Sequence, residues 1–315
     1  MAIKLDQLVA ALPPEWAGFV RDWDRSLRAA GKPETTRYNY LLAVVQLGRY
    51  LGERDADAPG AVDPTEVVRE QVEEFQAWMI ETRSRSTALN KHKCLQQFFR
   101  WLVEDEEELE RSPMERIRQP KKDVKLIPVM GQAETKKLLG ECKGKDFVSL
   151  RDEAIIRLYC NTGARLAEVA ELSVEDLDFG TDSVVYRGKG AKSRRVRFGH
   201  KTARALSRYL RARAKHPGSG LPNVWLAARG GGPLGANGIK IRLKRLGELA
   251  GVADVHAHRW RHTFAHEWKR AGGDTGDLML LLGWTSDAMP RHYGASAAAE
   301  RAQEVQLRMG IGDDV

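Results

Sequence analysis

Four amphipathic helical segments, followed by a stretch that suits neither helix nor sheet, divide this chain near residue 112. In PEWAGFVRDWDRSLRAAG, Trp16, Phe19, Val20, Trp23 and Leu27 recur at the spacing of one helix face, and Gly31 ends the run. ETTRYNYLLAVVQLGRYLG repeats the pattern and stops at Gly52. DPTEVVREQVEEFQAWMIE opens with Asp63 as the expected N-cap, Pro64 in the first helical position and Glu66 closing a capping box. STALNKHKCLQQFFRWLVEDE is a fourth helix, with Ser86 its expected cap. Trp78, Phe98, Phe99 and Trp101 follow the apolar faces and read as core. Four such helices on short loops predict a compact all-α domain. Residues 112–130, SPMERIRQPKKDVKLIPVM, then bring three prolines and a basic stretch without amphipathic period, which reads as an extended linker.

The remainder is mixed. QAETKKLLGEC and SLRDEAIIRLYCNTG have helical patterning, and ARLAEVAEL follows a glycine turn. SVVYR and SRRVRF are short β-prone runs flanking GKGAK, a hairpin signal, and NVWLA is expected as a third strand. Helices are predicted at about 202–215, 237–250, 259–271 and 275–282, with a short one over 286–293 and a helical tail in ASAAAERAQEVQLRMG. The fold class is therefore mainly α. An all-α four-helix domain precedes a mostly helical domain that carries a small antiparallel β-sheet. The expected boundaries are an extension at 1–14, a first domain at 15–111, the linker at 112–130, a second domain at 131–295 and the tail at 296–315.

The formal net charge of +8 and pI of about 9.4 favour a polyanionic partner, although a merely basic soluble enzyme would look the same. The distribution says more. From Arg187 to Lys215 basic residues recur with no acid among them. A solvated helix face usually mixes signs, so a one-sided run repels itself unless something negative lies across it. EDEEELE at 104–110 reads as a solvated helix end. Cys94, Cys142 and Cys160 form neither a CxxC pair nor a disulfide framework, which fits a reducing cytosol. The N-terminus lacks the layout of a signal peptide, and no apolar run approaches the ~18 residues needed to span a membrane. A cytoplasmic protein is expected.

HAHRWRHTFAH, residues 256–266, holds four of the chain's eight histidines. His258, His262 and His266 are four apart, a spacing that can bind a metal. Yet Arg259 and Arg261 sit among them, Glu267 is the only local carboxylate, and no cysteine is near, so an anion suits the stretch better than a cation. Elsewhere Arg165 follows NTGA at a turn into a helix, and Lys189 sits at the tip of the hairpin. Trp284 follows LLG at a helix end, and Tyr293 lies in MPRHYGAS. Each alone has an ordinary reading as a surface, turn or core residue.

Together, in this order, these residues resemble the tyrosine recombinase (phage integrase) family. NTGARLAEVAELSVEDLDF resembles its first box, RGKGAKSRRVRF its β-hairpin lysine, HAHRWRH its H-x-x-R-H box, LLGWTS its LLGH box and RHYGA its nucleophile segment. The likeness runs from about residue 15 to 296. It implies a SAM-like core-binding domain and a catalytic domain that clamp duplex DNA. It also implies catalytic roles for Arg165, Lys189, His258, Arg261, Trp284 and Tyr293, supported by Glu168 and His262. Trp284 stands where histidine is commonest, which makes the chain look more like mobile-element integrases than the chromosome-dimer-resolving branch.

The chemistry agrees with that assignment. A phosphodiester is anionic, and two guanidinium forks can grip its non-bridging oxygens where charge builds during attack. A phenol with a pKa of ~10 needs activation at neutral pH, with His258 the candidate base and Lys189 the candidate acid to the leaving 5′-oxygen. Neither metal nor cofactor enters this scheme. The resemblance further implies double-stranded DNA as partner and a homo-tetramer on two DNA sites (monomer or weak oligomer when free). It implies strand exchange through a Holliday junction, in the integration, excision or resolution of a mobile element. The tail is expected to dock on a neighbouring subunit or on its own domain, and no arm-binding domain is expected. Candidate phosphate contacts are Arg37, Arg83, Arg85, Lys91 and Lys93 in the first domain. In the linker and second domain they are Lys121, Lys122, Lys192, Arg194, Arg195, Lys240, Arg242 and Lys244. A type IB topoisomerase-like enzyme, or a non-catalytic DNA-binding protein on the same fold, remains as an alternative.

Overall fold

The structure, a computed structural model, describes residues 3–121, 128–188, 193–286, 302–303 and 305–310. It divides into two units, Met1–Lys125 and Leu126–Val315.

In the first unit the long helices are α2 (Pro14–Ala29), α3 (Glu34–Arg54), α5 (Arg69–Thr82) and α6 (Arg85–Glu104), with short α1 (Leu5–Val9) before them and short α4 (Pro59–Val62) between α3 and α5. The apolar faces read from the sequence meet in one core. Trp16, Trp23, Phe75, Phe98 and Phe99 are all buried there, and Trp23 lies 5.2 Å from Phe98 and stacks on Tyr40 at 5.6 Å. Val9 on α1 and Met114 and Ile117 beyond α6 are buried in the same core, so packing begins before residue 15 and runs past 111.

Two expected caps move. Asp63 caps only a single 3-10 turn, Pro64–Glu66, by accepting from the Thr65 amide at 2.8 Å. Val67 and Val68 are then extended, and α5 starts at Arg69 with the Gln71 side chain reaching back to the Val68 amide at 3.0 Å. At α6 the cap is Ser84 rather than Ser86. Ser84 is extended and accepts from the Thr87 amide at 3.1 Å, whereas Ser86 is already inside the first turn, where it cannot cap.

The second unit contains α7 (Gln132–Gly140), α8 (Phe147–Thr162) and α9 (Leu166–Ala170), then strands β1 (Leu177–Asp178), β2 (Ser183–Arg187) and β3 (Ser193–Arg197). Helices α10 (His200–Arg213), α11 (Ala236–Ala250), α12 (Ala257–Arg270) and α13 (Thr275–Leu282) follow. The sheet is antiparallel in the order β1-β2-β3, with Val184 opposite Val196 and Tyr186 opposite Arg194. Val184, Tyr186 and Val196 face the core, as period-2 alternation requires.

The third strand is β1, not NVWLA. Residues 223–227 make only isolated bridges, Asn223 to Ser173 and Leu226 to Pro233. Within this segment side chains take several carbonyls that a ladder would use: the buried Arg213 guanidinium holds Asn223 O and Val224 O, and Arg151 holds Leu226 O. The long buried helix α8 packs against both α10 and α12, and Tyr159 stacks on Trp260 at 5.7 Å. Beyond residue 286 the described tail residues 302–303 and 305–309 are helical, while the expected helix at 286–293 lies almost wholly outside the described residues.

Candidate functional site

The site grows from three helix ends. Helix α8 stops at Gly163, whose φ of +56° is the left-handed conformation that glycine adopts without cost. A Cβ there would stand 2.9 Å from Cβ of Phe264. The turn delivers Arg165 to the N-cap of α9, where its amide donates to Glu168 Oε2 and its Nη1 to Glu168 Oε1, each at 2.7 Å. Helix α12 begins next to His256, whose Nδ1 accepts from the Arg259 amide at 3.2 Å, and its first turns carry His258 and Arg261. Helix α13 ends at Gly283, again with a left-handed φ of +61°, just before Trp284.

Three successive carbonyls at the end of α13 each accept from a different arginine. Leu281 O takes Arg194 Nε at 2.7 Å, Leu282 O takes Arg261 Nη2 at 2.5 Å, and Gly283 O takes Arg165 Nη2 at 2.9 Å. The last carbonyls of a helix lack intrahelical donors and carry its partial negative charge, so guanidinium groups are their natural partners. Arg261 also donates to Gly163 O at 3.0 Å, which ties the ends of α8 and α13 together. It is 1% exposed, and its guanidinium lies 5.1 Å from the Trp284 ring centre.

Arg165, Arg261, His258, His256, Lys240 and Trp284 line one cleft of about 500 Å³. His258 is exposed and its ring lies edge-on to that of buried His262 at 5.1 Å. Burial lowers the His256 imidazole below its usual range. For Glu168, burial alone would raise the carboxyl. Hydrogen bonds from Arg194 and the Arg165 amide, with the Arg194 charge, outweigh it and hold the group at about 2. Two arginines, two histidines and a lysine around one opening suit a small dense anion. Among the described residues no three His, Cys, Asp or Glu side chains converge as a metal site would require.

The other expected residues fare differently. Lys122, Lys189, Lys192 and Tyr293 lie outside the described residues. Three expected phosphate contacts are turned inward instead. Arg37 pairs with Asp24 through Nε and Nη2, Arg242 pairs with the buried Asp152, and Arg194 grips both oxygens of Glu168 at 2.8 Å. Arg195 pairs with Asp178 at 3.0 Å but stays half exposed. Arg83, Arg85, Lys93 and Lys121 are exposed on the first unit, and Lys244 on α11 of the second. Lys91 is half-buried, and that burial lowers its ammonium.

Part of the acid-free basic run is also answered from elsewhere in the fold: Arg187 by Glu175 and Asp176, Arg208 by Glu153, and Arg213 by carbonyls. Sequence reading missed two participants, Arg194 as a builder of the site and His256 as lining, while Lys240, expected as a phosphate contact, lines the cleft. Only the acid-free run hinted at Arg194, because its carboxylate partner is 26 residues away.

Comparison with known proteins gives a consistent picture. The model of the phage integrase family matches residues 128–300, and that of the phage integrase N-terminal SAM-like domain matches 19–108. Tyrosine recombinase XerC of Bacillus subtilis (strain 168) is 30% identical over 218 residues, covering 67% of this chain and 70% of that protein. XerC of Chromobacterium violaceum is 30% identical over 280 residues, covering 88% and 89%. Among solved structures, XerH recombinase bound to a palindromic difH substrate superposes with a TM-score of 0.72 at 19% identity, covering 90% of this chain and 82% of that one. The Tn1549 transposon integrase in complex with circular intermediate DNA also gives 0.72, at 18% identity, covering 91% and 98%. At such identities the structural likeness speaks for the fold. No described helix is long and apolar enough to cross a membrane.

Proposed function

The chain belongs to the phage integrase family and is a tyrosine site-specific recombinase, and from that premise we propose that it cuts and rejoins duplex DNA through a 3′-phosphotyrosine on Tyr293. The observation that carries this reading is the pair Arg165 and Arg261. They come from separate helix ends, line one cleft with His258, and are held on adjacent carbonyls of a single turn. Such pre-aimed donors stabilise the charge that develops on a phosphate during attack more than they stabilise the ground state.

The step balances without an outside reagent. The Tyr293 hydroxyl gives its proton to His258 and its oxygen bonds to phosphorus. The bond from phosphorus to the 5′-oxygen breaks, and that oxygen takes a proton from Lys189. A 5′-hydroxyl from a partner strand reverses the sequence, so bond energy is conserved in the phosphotyrosine. Trp284, 6% exposed beneath Arg261, supports the guanidinium by its ring face rather than by proton transfer. Strand exchange would proceed in pairs through a Holliday junction, on a homo-tetramer assembled on two DNA sites. Integration, excision or resolution of a mobile element is the use we assign to it, with the tryptophan at the histidine position in support. The DNA in the XerH and Tn1549 integrase complexes supports a duplex partner.

The test starts from bound sites selected out of random duplex DNA and uses a nicked suicide substrate built on them. The wild-type chain should accumulate a covalent protein–DNA adduct, and Tyr293→Phe should form none. An adduct that persists in Tyr293→Phe would sink the nucleophile assignment. A wild-type chain that binds DNA but never forms an adduct would favour the non-catalytic reading.

A further inference from the structure

We propose that Arg194 is a positioning residue of the recombinase site, neutralising Glu168 so that Arg165 keeps its charge for the scissile phosphate. The inference rests on the role given to Arg165 above. Glu168 is 7% exposed at its side chain, and two guanidinium groups converge on it. Its Oε1 accepts from Arg165 Nη1 at 2.7 Å and from Arg194 Nη1 at 2.8 Å, while its Oε2 accepts from Arg194 Nη2 at 2.8 Å. Arg194 thus holds the carboxylate with a two-point fork, and Arg165 shares one oxygen through its side chain. The group of three carries one net positive charge, and of its two arginine side chains the cleft-lining Arg165 is 43% exposed against 12% for Arg194.

Arg194 is also placed to set geometry. Its Nε donates to Leu281 O at 2.7 Å, the carbonyl next to the one held by Arg261. Its guanidinium lies 5.0 Å from the Tyr186 ring centre, across the β2–β3 ladder. A lysine could supply the charge but not the planar fork that meets two carboxylate oxygens and a carbonyl at once. Strand β3, which begins four residues after Lys189 in the chain, is thereby pinned to the end of α13 and to the first turn of α9. Without Arg194 the full charge of a buried carboxylate falls on Arg165, and the pair becomes neutral toward an incoming phosphate.

The test compares Arg194→Gln, Arg194→Lys and the double variant Arg194→Gln/Glu168→Gln. DNA affinity and the adduct-forming rate at saturating DNA are measured separately on the selected site. Arg194→Gln should lower the saturated rate by about 10²-fold with little change in affinity, and Arg194→Lys should fall between it and wild type. The double variant should regain about tenfold, because the charge opposing Arg165 is gone. A rate-independent readout is the carbon-13 titration of the Glu168 carboxyl. It should sit near 2 in the wild type and move up toward the ordinary glutamate range in Arg194→Gln, where only Arg165 remains to oppose burial.

The proposal is overturned if folded Arg194→Gln loses affinity but not saturated rate, which would make Arg194 a DNA contact. It is overturned equally if the double variant shows no recovery, or if the Glu168 titration does not move. A wild-type chain that forms no adduct sinks the phosphotyrosine reading instead, while the carboxyl titration still reports on Arg194 and Glu168.

Discussion

Arg165 and Arg261 hold neighbouring carbonyls of one turn, Gly283 O at 2.9 Å and Leu282 O at 2.5 Å, although they stand almost a hundred residues apart in the chain. The end of α13 therefore acts as a common rest for two phosphate-gripping groups. Their separation is set by the backbone of that turn rather than by two independent side-chain conformations, a pre-organisation that transition-state stabilisation needs.

Replacing Arg261 by lysine tests that arrangement. An ammonium cannot span Gly163 O and Leu282 O and still present a second donor to a phosphate. Arg261→Lys should lower the rate of adduct formation by about 10²–10³-fold at saturating DNA. Measured on the suicide substrate, a rate within threefold of wild type would contradict the fork geometry.

The two left-handed glycines separate stability from activity. A side chain at positive φ costs roughly 1–2 kcal/mol. At Gly163 the added Cβ also meets Phe264 Cβ at 2.9 Å and Leu282 Cδ2 at 3.0 Å, the second fully buried and the first half-buried beside it. At Gly283 it meets the Nη1 atoms of Arg194 and Arg165 at 3.3 and 3.5 Å. Gly163→Ala should give the larger drop in thermal midpoint, and Gly283→Ala the larger loss of adduct formation relative to its drop in midpoint. Equal behaviour of the two variants would remove the distinction.

Glu168 makes the second unit acid-sensitive in a defined window. Its carboxyl ordinarily titrates near 4.5 and is held at about 2 in the fold, so the folded state favours the charged form. The resulting stability is fully present above the unfolded value. It is lost as pH falls from about 4.5 toward 2, amounting to about 3 kcal/mol at most. Chemical denaturation from pH 6 to pH 2.5 should show this loss, and Glu168→Gln should remove the share that this carboxyl contributes, leaving that of Glu134, Asp146, Asp178 and Asp274, which are also held low.

Why some of this was legible in the sequence follows from which interactions are local. The helices of the first unit were readable because Trp16, Val20, Trp23 and Leu27 repeat at helical spacing and meet one core. Gly163 and Gly283 were readable as punctuation, and Arg165, His258, Arg261 and Trp284 through their motif order. What escaped is what depends on distant partners. Nothing near Ser86 says that Ser84 will be the extended residue that caps α6. NVWLA looks like a strand until distant arginines, Arg213 and Arg151, take the carbonyls of Asn223, Val224 and Leu226. Arg37, Arg194 and Arg242 look like solvated cations until Asp24, Glu168 and Asp152 meet them in space. A charge run counted along the chain thus overstates what is offered to a partner.

Helix α11 turns that lesson into a measurement. Lys240, Arg242 and Lys244 sit two residues apart, and by sequence alone all three are equivalent phosphate contacts. In the fold Lys240 is exposed and lines the cleft, and Lys244 is exposed, 3.8 Å from Glu248. Arg242 instead pairs with Asp152, whose side chain is 0% exposed and which Arg151 holds from its other oxygen. A phosphate-bound lysine removed by alanine should reduce the slope of log affinity against log salt by about 0.9 and leave the thermal midpoint unchanged. Lys240→Ala and Lys244→Ala should behave this way. Arg242→Ala strands part of a buried carboxylate, a change that costs stability in kcal/mol rather than counterions. It should lower the midpoint while the salt slope stays at the wild-type value. If Arg242→Ala instead flattens the salt dependence without destabilising the protein, the inward pairing with Asp152 does not persist on DNA.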